Sequence, residues 1–400
     1  VNAGAGEPET DEAEGPLVFH VAGEPSGDVL GARLMAALKR ISGGAVRFAG
    51  VGGERMTAEG LESLFPMSEI SVMGYLEVLP RIPLLLARIR DTAEVVHYLL
   101  PDVVVTIDSP DFTLRVADRL TKLGVPRVHY VAPQVWAHRP GRAPKIAAVL
   151  DHLLALFPFE PPYFERVGLA CSFVGHPIVE EGADRGDGAG FRARHGIAPD
   201  KPIVACLPGS RAGEVARLLP IFGETLAKLS QEFDLAVALP SVPAVAETVR
   251  RAAADWPFET IVTTERREKY DAFAAARAAL AASGTVVLEL ALAGVPTVVA
   301  YRANAITAWL ARRMIKVSHV SLVNLILERE VMPEFLQERC RADLLREALS
   351  GLISDEETRA AQIDAEREVA LLLAGNGAGT PSERAAAIVL AIAARARRAR

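Results

Sequence analysis

The chain is poor in the residues that mark several large functional classes. It has three cysteines, Cys171, Cys206 and Cys340, far apart and without a C-x-x-C pair. Such spacing offers neither a disulfide framework nor a zinc site and fits a reducing compartment. Aromatic residues make up only 6% of the sequence, so buried apolar area must come from Ala, Val and Leu, as in parallel sheets covered by helices. No run approaches the roughly 18 apolar residues that a membrane span needs. The nearest stretch, residues 67–91, is broken by Glu77, Pro80, Arg81 and Pro83; it reads as a core helix end or as a surface helix lying on lipid. A G-K-[ST] phosphate loop is missing, and so is the G-x-G-x-x-G dinucleotide pattern.

Charge of one sign is also scarce. The formal net charge is −6, and Glu7, Glu9, Asp11, Glu12 and Glu14 stand without a base in residues 1–16, leaving the rest near neutral. This segment reads as a disordered acidic tail, with neither the basic start nor the apolar core of a secretory signal. Nothing global points to nucleic acid. The basic run Arg395 to Arg400 suits a helix C-terminus or attraction to phosphate or an anionic membrane surface.

What is abundant is the alternation of β-rich runs with helical ones. Strands are predicted at 17–22, 46–50, 103–107, 125–133 and 152–159. Val103–Ile107 shows no polar alternation, which marks a central parallel strand buried on both faces. Apolar anchors thin out over 180–196, and the alternation resumes at 202. The predicted fold class is α/β, with two Rossmann-like parallel-sheet domains facing across a cleft. The predicted boundaries are 17–180, a linker region at 181–200, a second domain at 201–350 that closes in helical segments including one at 333–350, and C-terminal helices at 351–400 that can pack back on the first domain. Ligands of such sheets sit at the C-terminal ends of the strands, so the loops there carry the candidate chemistry.

In 18-VFHVAGEPSGDVLGARLMAAL-38, Gly23, Gly27 and Gly31 are four apart and Pro25 stands where a dinucleotide loop has its middle glycine. Glu24 and Asp28 place negative charge where a phosphate would lie. The loop suits a hydroxyl-rich ligand, or is a plain turn with Ser26 or Asp28 capping the next helix. In 108-DSPDF-112, Asp108 and Asp111 follow the apolar strand; each can cap a helix or take a hydroxyl proton. The stretch 129–146 gathers His129, Gln134, Trp136, His138, Arg139, Arg142 and Lys145. It is either a surface for a sugar phosphate with Trp136 stacking, or a surface loop around a buried Trp. His176 closes this half.

In the second half, Gly209 in 207-LPGSR-211 permits a turn whose N–H groups face an anion, with Ser210 and Arg211 adding a hydroxyl and a bidentate donor. In 283-SGTVVLE-289, Ser283, Gly284 and Thr285 open a helix, and Glu289 lies one turn on, either facing ribose hydroxyls or making a buried capping contact. The two loops together predict a nucleoside-diphosphate pocket in the second half.

Ordered motifs from about residue 17 to 350 resemble the lipid-A-disaccharide synthase family. They include VAGEPSGDVLGA (21–32), IDSPDF (107–112), HYVAPQVWAHRPGR (129–142), FPFEPPYF (157–164), FVGHP (173–177), LPGSRAGEV (207–215), ASGTVVLELAL (282–292) and VSLVNLI (320–326). The resemblance implies a GT-B architecture. It implies transfer of 2,3-diacylglucosamine from its UDP derivative to 2,3-diacylglucosamine 1-phosphate, releasing UDP, in lipopolysaccharide assembly of a Gram-negative bacterium. It implies no cofactor and no metal, and a peripheral location on the cytoplasmic face of the inner membrane. Asp108 then falls on the general base, with Asp111 steadying the loop. Gly209, Ser210, Arg211, Ser283, Gly284, Thr285, Glu289, Asn324 and Gln337 fall on the donor side. Gly23, Glu24, Ser26, Gly27, Asp28, Gln134, Trp136, Arg139 and His176 fall on the acceptor side. Because both substrates carry fatty chains, the 67–90 segment becomes an expected lipid-facing wall, with Arg88 and Arg90 meeting headgroups. Two positions depart from the family pattern: His138 replaces a Trp, and Val323 replaces a Pro. Oligomeric state is not specified. The alternatives are another UDP-N-acetylglucosamine enzyme of this architecture, a transferase or 2-epimerase, or a non-catalytic sugar-nucleotide binding protein.

Overall fold

Unbroken apolar runs become strands buried on both faces. A computed structural model describes residues 15–71, 79–137, 140–304 and 318–400. The chain divides into two units. The first comprises Val1–Pro177 with Gly375–Arg400, and the second Ile178–Ala374.

The first unit is built on β1 (Leu17–Ala22), β2 (Arg47–Val51), β3 (Val103–Ile107), β4 (Arg127–Tyr130), β5 (His152–Ala155) and β6 (Ala170–Phe173). They form one parallel sheet in the order β2-β1-β3-β4-β5-β6. All five residues of β3 are buried, as their lack of alternation predicts. The order reverses between β1 and β3, where Ala22 pairs with Ile107. The loops that follow, at 23–28 and 108–111, therefore lie side by side at a topological switch point, where open sheets of this kind bind ligands. Phe19, Val21, Val104, Val116 and Ile89 form the core between this sheet and the helices Ile82–Leu99 and Pro110–Arg119.

The second unit repeats the plan with β7 (Ile203–Leu207), β8 (Ala236–Pro240), β9 (Glu259–Thr263), β10 (Ala278–Ala282), β11 (Thr297–Tyr301) and β12 (Glu334–Leu336), in the order β12-β11-β10-β7-β8-β9. Its switch point lies between β7 and β10, whose ends pair Leu207 with Ala281. The loops 208–211 and 283–285 open there. Leu218, Phe222 and Leu226 of the helix Ala212–Leu229 pack on this sheet with Val237 and Leu280.

Three expectations differ from the structure. The region 181–200 is not a bare linker: Gly188–His195 is a helix, capped by Asp187 and anchored by the fully buried Phe191. Residues 333–350 are not one helix but β12, a short turn and the helix Ala342–Ser354, because Glu334 takes backbone N–H bonds that pin it as a strand. The closing helices do not act together. Glu356–Ala374 stays with the second unit, where Gln362 Nε2 donates to the Thr297 carbonyl at 3.0 Å. Pro381–Ala399 belongs to the first, where Arg384 Nε donates to the Val174 carbonyl at 2.9 Å.

Candidate active site

The first-unit site is built on a strained turn. Asp108 and Ser109 have φ of 52° and 45°, and Val131, at the end of β4, has φ of 83°. Non-glycine residues held in this region cost about 1–3 kcal/mol each and concentrate where function requires it. The surroundings hold Asp108 firmly. Ser26 Oγ donates to its Oδ2 at 2.9 Å, and the Ser109 N–H donates to its Oδ1 at 2.9 Å. Gly23 makes this approach possible: a Cβ there would lie 2.8 Å from that of Ser109.

Asp108 and Asp111 line a cavity of about 290 Å³ with Gln134, Val135, Arg142 and Glu160. The Asp111 side chain is 94% exposed and meets Arg142 only at 3.4 Å. Glu160 is nearly fully buried. Its Oε2 accepts the N–H groups of Leu156 and Phe157 at 3.0 Å each, and its Oε1 accepts Trp136 Nε1 at 3.3 Å. Those bonds favour the carboxylate, but burial outweighs them and lifts the pKa from 4.5 to about 7. Trp136 is thus tied down through Glu160, with its ring edge-on to Phe159 at 5.1 Å. His176 lies 5.4 Å from the Phe157 ring. Arg139 and His138 lie outside the described residues.

A second cavity of this unit, about 490 Å³, runs from Glu24 and Asp111 along Ile70, Ile82, Leu85, Leu86 and Phe112. Leu79, Ile82, Leu84 and Leu86 are exposed. Arg88 does not face outward as expected: it bonds Glu69 at 2.7 Å and Asp91 at 3.1 Å and covers the Phe65 ring. Arg90 remains 61% exposed. Residues 72–78 of this segment lie outside the described residues. Among the described residues, no helix is long and apolar enough to cross a membrane.

Asp28 is not where a ligand contact would need it. It is buried, and its carboxylate accepts the N–H groups of Gly53, Arg55 and Met56 at 2.9–3.0 Å, capping the helix Glu54–Ala58. Neither Asp28 nor Ser26 caps the helix Pro25–Ile41, which begins after Glu24 without a side-chain cap. Gly27 sits against the sheet, 3.2 Å from the Ile107 carbonyl if given a Cβ.

The second-unit cavity, about 420 Å³, collects Gly209, Ser210, Arg211, Glu214, Lys269, Ser283, Gly284, Thr285 and Glu289. Gly209 has φ of 115°, which turns the loop after β7. The Ser210 and Arg211 N–H groups point at Glu214 Oε2 at 3.3 and 3.4 Å. The loop therefore already cradles one anionic oxygen. Across the cavity Ser283 Oγ donates to the Val320 carbonyl at 3.1 Å. Glu289 bonds Lys269 through both oxygens.

Asn324 does not line this cavity. It is fully buried and uses its whole amide: Nδ2 donates to Met332 O and Glu334 Oε1, and Oδ1 accepts the N–H groups of Val331 and Met332. Its effect on the site is indirect, through Glu334, which accepts the Val320 and Ser321 N–H groups beside Ser283. Val323, the departure from the family pattern, is fully buried in the same short helix. Gln337 follows β12 with φ of 53°, outside the cavity lining.

Glu160, Lys269 and Glu214 were not singled out from the sequence. Glu160 is flanked by Phe and Pro, and no periodicity reveals that it is buried. Lys269 ends the run ERREK, which reads as a solvated helix start. Glu214 three residues after Arg211 does match a capping-box spacing, a signal that was legible.

Two parallel six-stranded sheets, each with its polar loops at the switch point, define a glycosyltransferase scaffold of the GT-B type. Solved structures share that fold. MurG of Acinetobacter baumannii superposes with a TM-score of 0.59 at 15% identity, covering 94% of this chain and 99% of its own. A 2-epimerase from Listeria monocytogenes, described as a putative UDP-N-acetylglucosamine 2-epimerase, gives 0.62 at 13%, covering 94% and 95%. The family is set by sequence. Residues 18–389 match the model of the lipid-A-disaccharide synthetases. The lipid-A-disaccharide synthase of Rhodospirillum centenum is 56% identical over 377 residues, 94% of each chain. That of Paramagnetospirillum magneticum is 52% identical over 379 residues, covering 94% of this chain and 97% of its own. The chain belongs to the lipid-A-disaccharide synthase family and is a glycosyltransferase of lipid A biosynthesis.

Proposed function

We propose that the chain moves the 2,3-diacylglucosamine unit of UDP-2,3-diacylglucosamine onto the 6-hydroxyl of 2,3-diacylglucosamine 1-phosphate by a single inverting displacement. The observation that carries this reading is Asp108, a carboxylate fixed by a hydroxyl and a backbone N–H on a strained turn at the first switch point. It takes the proton of the acceptor hydroxyl as that oxygen attacks C1 of the donor. Arg142, on the wall of the same cavity, offers its guanidinium to the acceptor phosphate.

The departing UDP takes the place that Glu214 now holds at the Ser210 and Arg211 N–H groups. Arg211, 68% exposed, turns from Glu214 to the diphosphate. Preorganised donors of this kind replace a metal in stabilising the leaving group. The apolar cavity beside Asp111 is wide enough for an acyl chain, and the exposed Leu79, Leu84 and Leu86 meet the surface of the membrane from which such substrates come. That surface is the cytoplasmic face of the inner membrane.

A release assay for UDP with both lipid substrates tests the reading, run with and without EDTA. The expected result is release unaffected by the chelator. No release overturns the transfer, and loss with EDTA overturns the metal-free mechanism. Release with UDP-N-acetylglucosamine in place of the acylated donor would favour the simpler sugar-nucleotide enzymes of this fold.

A further inference from the structure

The second-unit cavity contains a cation that neither the glycine loops nor the family motifs single out. Lys269 lies in the first turns of the helix Arg266–Ala275, just past the C-terminal end of β9. Its Nζ stands 2.8 and 2.9 Å from the two oxygens of Glu289. Both side chains are largely withdrawn from solvent, at 24% and 12% exposure, and both line the cavity. The Tyr270 hydroxyl completes the cluster. It lies 3.0 Å from Glu181 Oε2 and 3.3 Å from Glu289 Oε1. Burial pushes the Tyr270 pKa up, so the phenol stays a donor.

A carboxylate offers about four acceptor directions. In Glu289, Lys269 occupies one on each oxygen and Tyr270 one more on Oε1. One direction on Oε2 remains open. A second becomes available without leaving the phenol unpaired, because Tyr270 has its shorter bond to Glu181. Two acceptor sites on one carboxylate are what a vicinal diol requires. The side chain must also be held still, since a free glutamate would lose rotamer entropy on binding. A bidentate ammonium contact in a half-buried pocket does this, and a lone hydroxyl contact does not.

We propose that Lys269 is a positioning residue of the donor site, locking Glu289 in the orientation that receives the ribose hydroxyls of a uridine nucleotide. This rests on the reading of the second-unit cavity as the nucleotide pocket. Lys269 itself has its donors directed at the carboxylate, so it shapes recognition of the sugar of the nucleotide rather than of its phosphates.

The test is equilibrium binding of UDP, 2′-deoxy-UDP and 3′-deoxy-UDP to the full chain and to K269M and K269R, with thermal unfolding measured alongside. The intact protein is expected to bind UDP about tenfold or more tightly than either deoxy form. K269M is expected to bind UDP about tenfold more weakly and to bring the three ligands close to equal affinity. K269R, which keeps the charge, restores part of the preference. In turnover, KM for the donor rises more than kcat falls in K269M. A K269M protein that weakens all three ligands equally, or keeps its preference for UDP, overturns the proposal. If K269M unfolds early, the preference measured in K269R decides alone: a preference smaller than that of the unaltered protein supports the role, and an undiminished one overturns it. Failure of the unaltered protein to bind UDP overturns instead the placement of the donor.

Discussion

Ser26 Oγ donates to Asp108 Oδ2 across the gap between β1 and β3, at 2.9 Å. The two residues are 82 positions apart, and the parallel pairing of Ala22 with Ile107 brings their loops together. That hydroxyl, with the Ser109 N–H, fixes the orientation of the carboxylate proposed above as the base. Asp108→Ala is expected to lower kcat by about 10²–10⁴-fold, the usual contribution of a general base. Ser26→Ala is expected to lower it about tenfold, because one hydrogen bond to a charged group is lost. Gly23→Ala should resemble Asp108→Ala more than Ser26→Ala, since its methyl would displace Ser109 and the turn with it. Steady-state rates with both lipid substrates check all three; an Asp108→Ala enzyme of ordinary rate removes the base from the mechanism.

Glu160 gives the first unit a pH dependence of definite sign. Its folded pKa, about 7, lies above the usual 4.5. Its contribution to stability is therefore complete below about pH 4.5 and disappears as pH rises through 7, a change on the order of 3 kcal/mol. Glu160→Gln keeps an oxygen for the Leu156 and Phe157 N–H groups but cannot ionise. The variant should gain stability relative to the unaltered protein between pH 5 and 7.5, read as a rising difference in denaturant midpoint. His20 and His129, fully buried with pKa values lowered to about 3, shift the profile of both proteins in the opposite sense below pH 6.5. Only the difference between the two proteins isolates Glu160. A flat difference would contradict the assignment.

Glu366 is the corresponding liability of the second unit. It is fully buried in the helix Glu356–Ala374, both carboxyl oxygens lack a hydrogen-bond partner among the described residues, and burial raises its pKa well above the ordinary value. Holding this acid protonated in the folded chain costs stability at any pH above the ordinary carboxyl pKa, a cost that an apolar residue of similar volume does not carry. Glu366→Met should therefore raise Tm by several degrees at pH 8 and by little at pH 4, where the acid is protonated in the folded and unfolded chain alike. An unchanged or lower Tm at pH 8 would show that the carboxyl is satisfied.

The exposed leucines at the start of the helix Ile82–Leu99 predict a separable membrane effect. Leu79, Leu84 and Leu86 contribute little to the core, whereas Leu85 packs against it. Changing the three exposed residues to Ser together should lower partition onto vesicles by about tenfold or more while leaving thermal stability unchanged. Undiminished partition would move the lipid-facing surface elsewhere.

Most strands, though not β6 or β12, and both switch-point loops were legible in the sequence because their signals are local. Val103–Ile107 and Ile203–Leu207 show no alternation of apolar with polar residues, and each ends in a short polar loop. What escaped was set by distant partners. Asp28 looks like a loop acid, yet Gly53, Arg55 and Met56 claim its oxygens from 25 or more residues away. β12 has three residues and one of them is a glutamate, so no strand pattern survives. Asn324 is quoted in a family motif beside donor residues, but its four bonds lie within the 324–334 segment.

Pro381–Ala399 packs against the helix Pro25–Ile41 and touches β3, and Arg400 bonds the carbonyls of Leu100 and Pro101. The first sheet thus waits for a helix made only after the whole of the second unit. During synthesis the second unit, contiguous from Ile178 to Ala374, has all its pieces before the first does. The unit carrying the strained turn at Asp108 therefore closes only after the second has all its pieces, and a chain cut before Pro381 would keep the second-unit cavity while lacking the helix that packs against Pro25–Ile41.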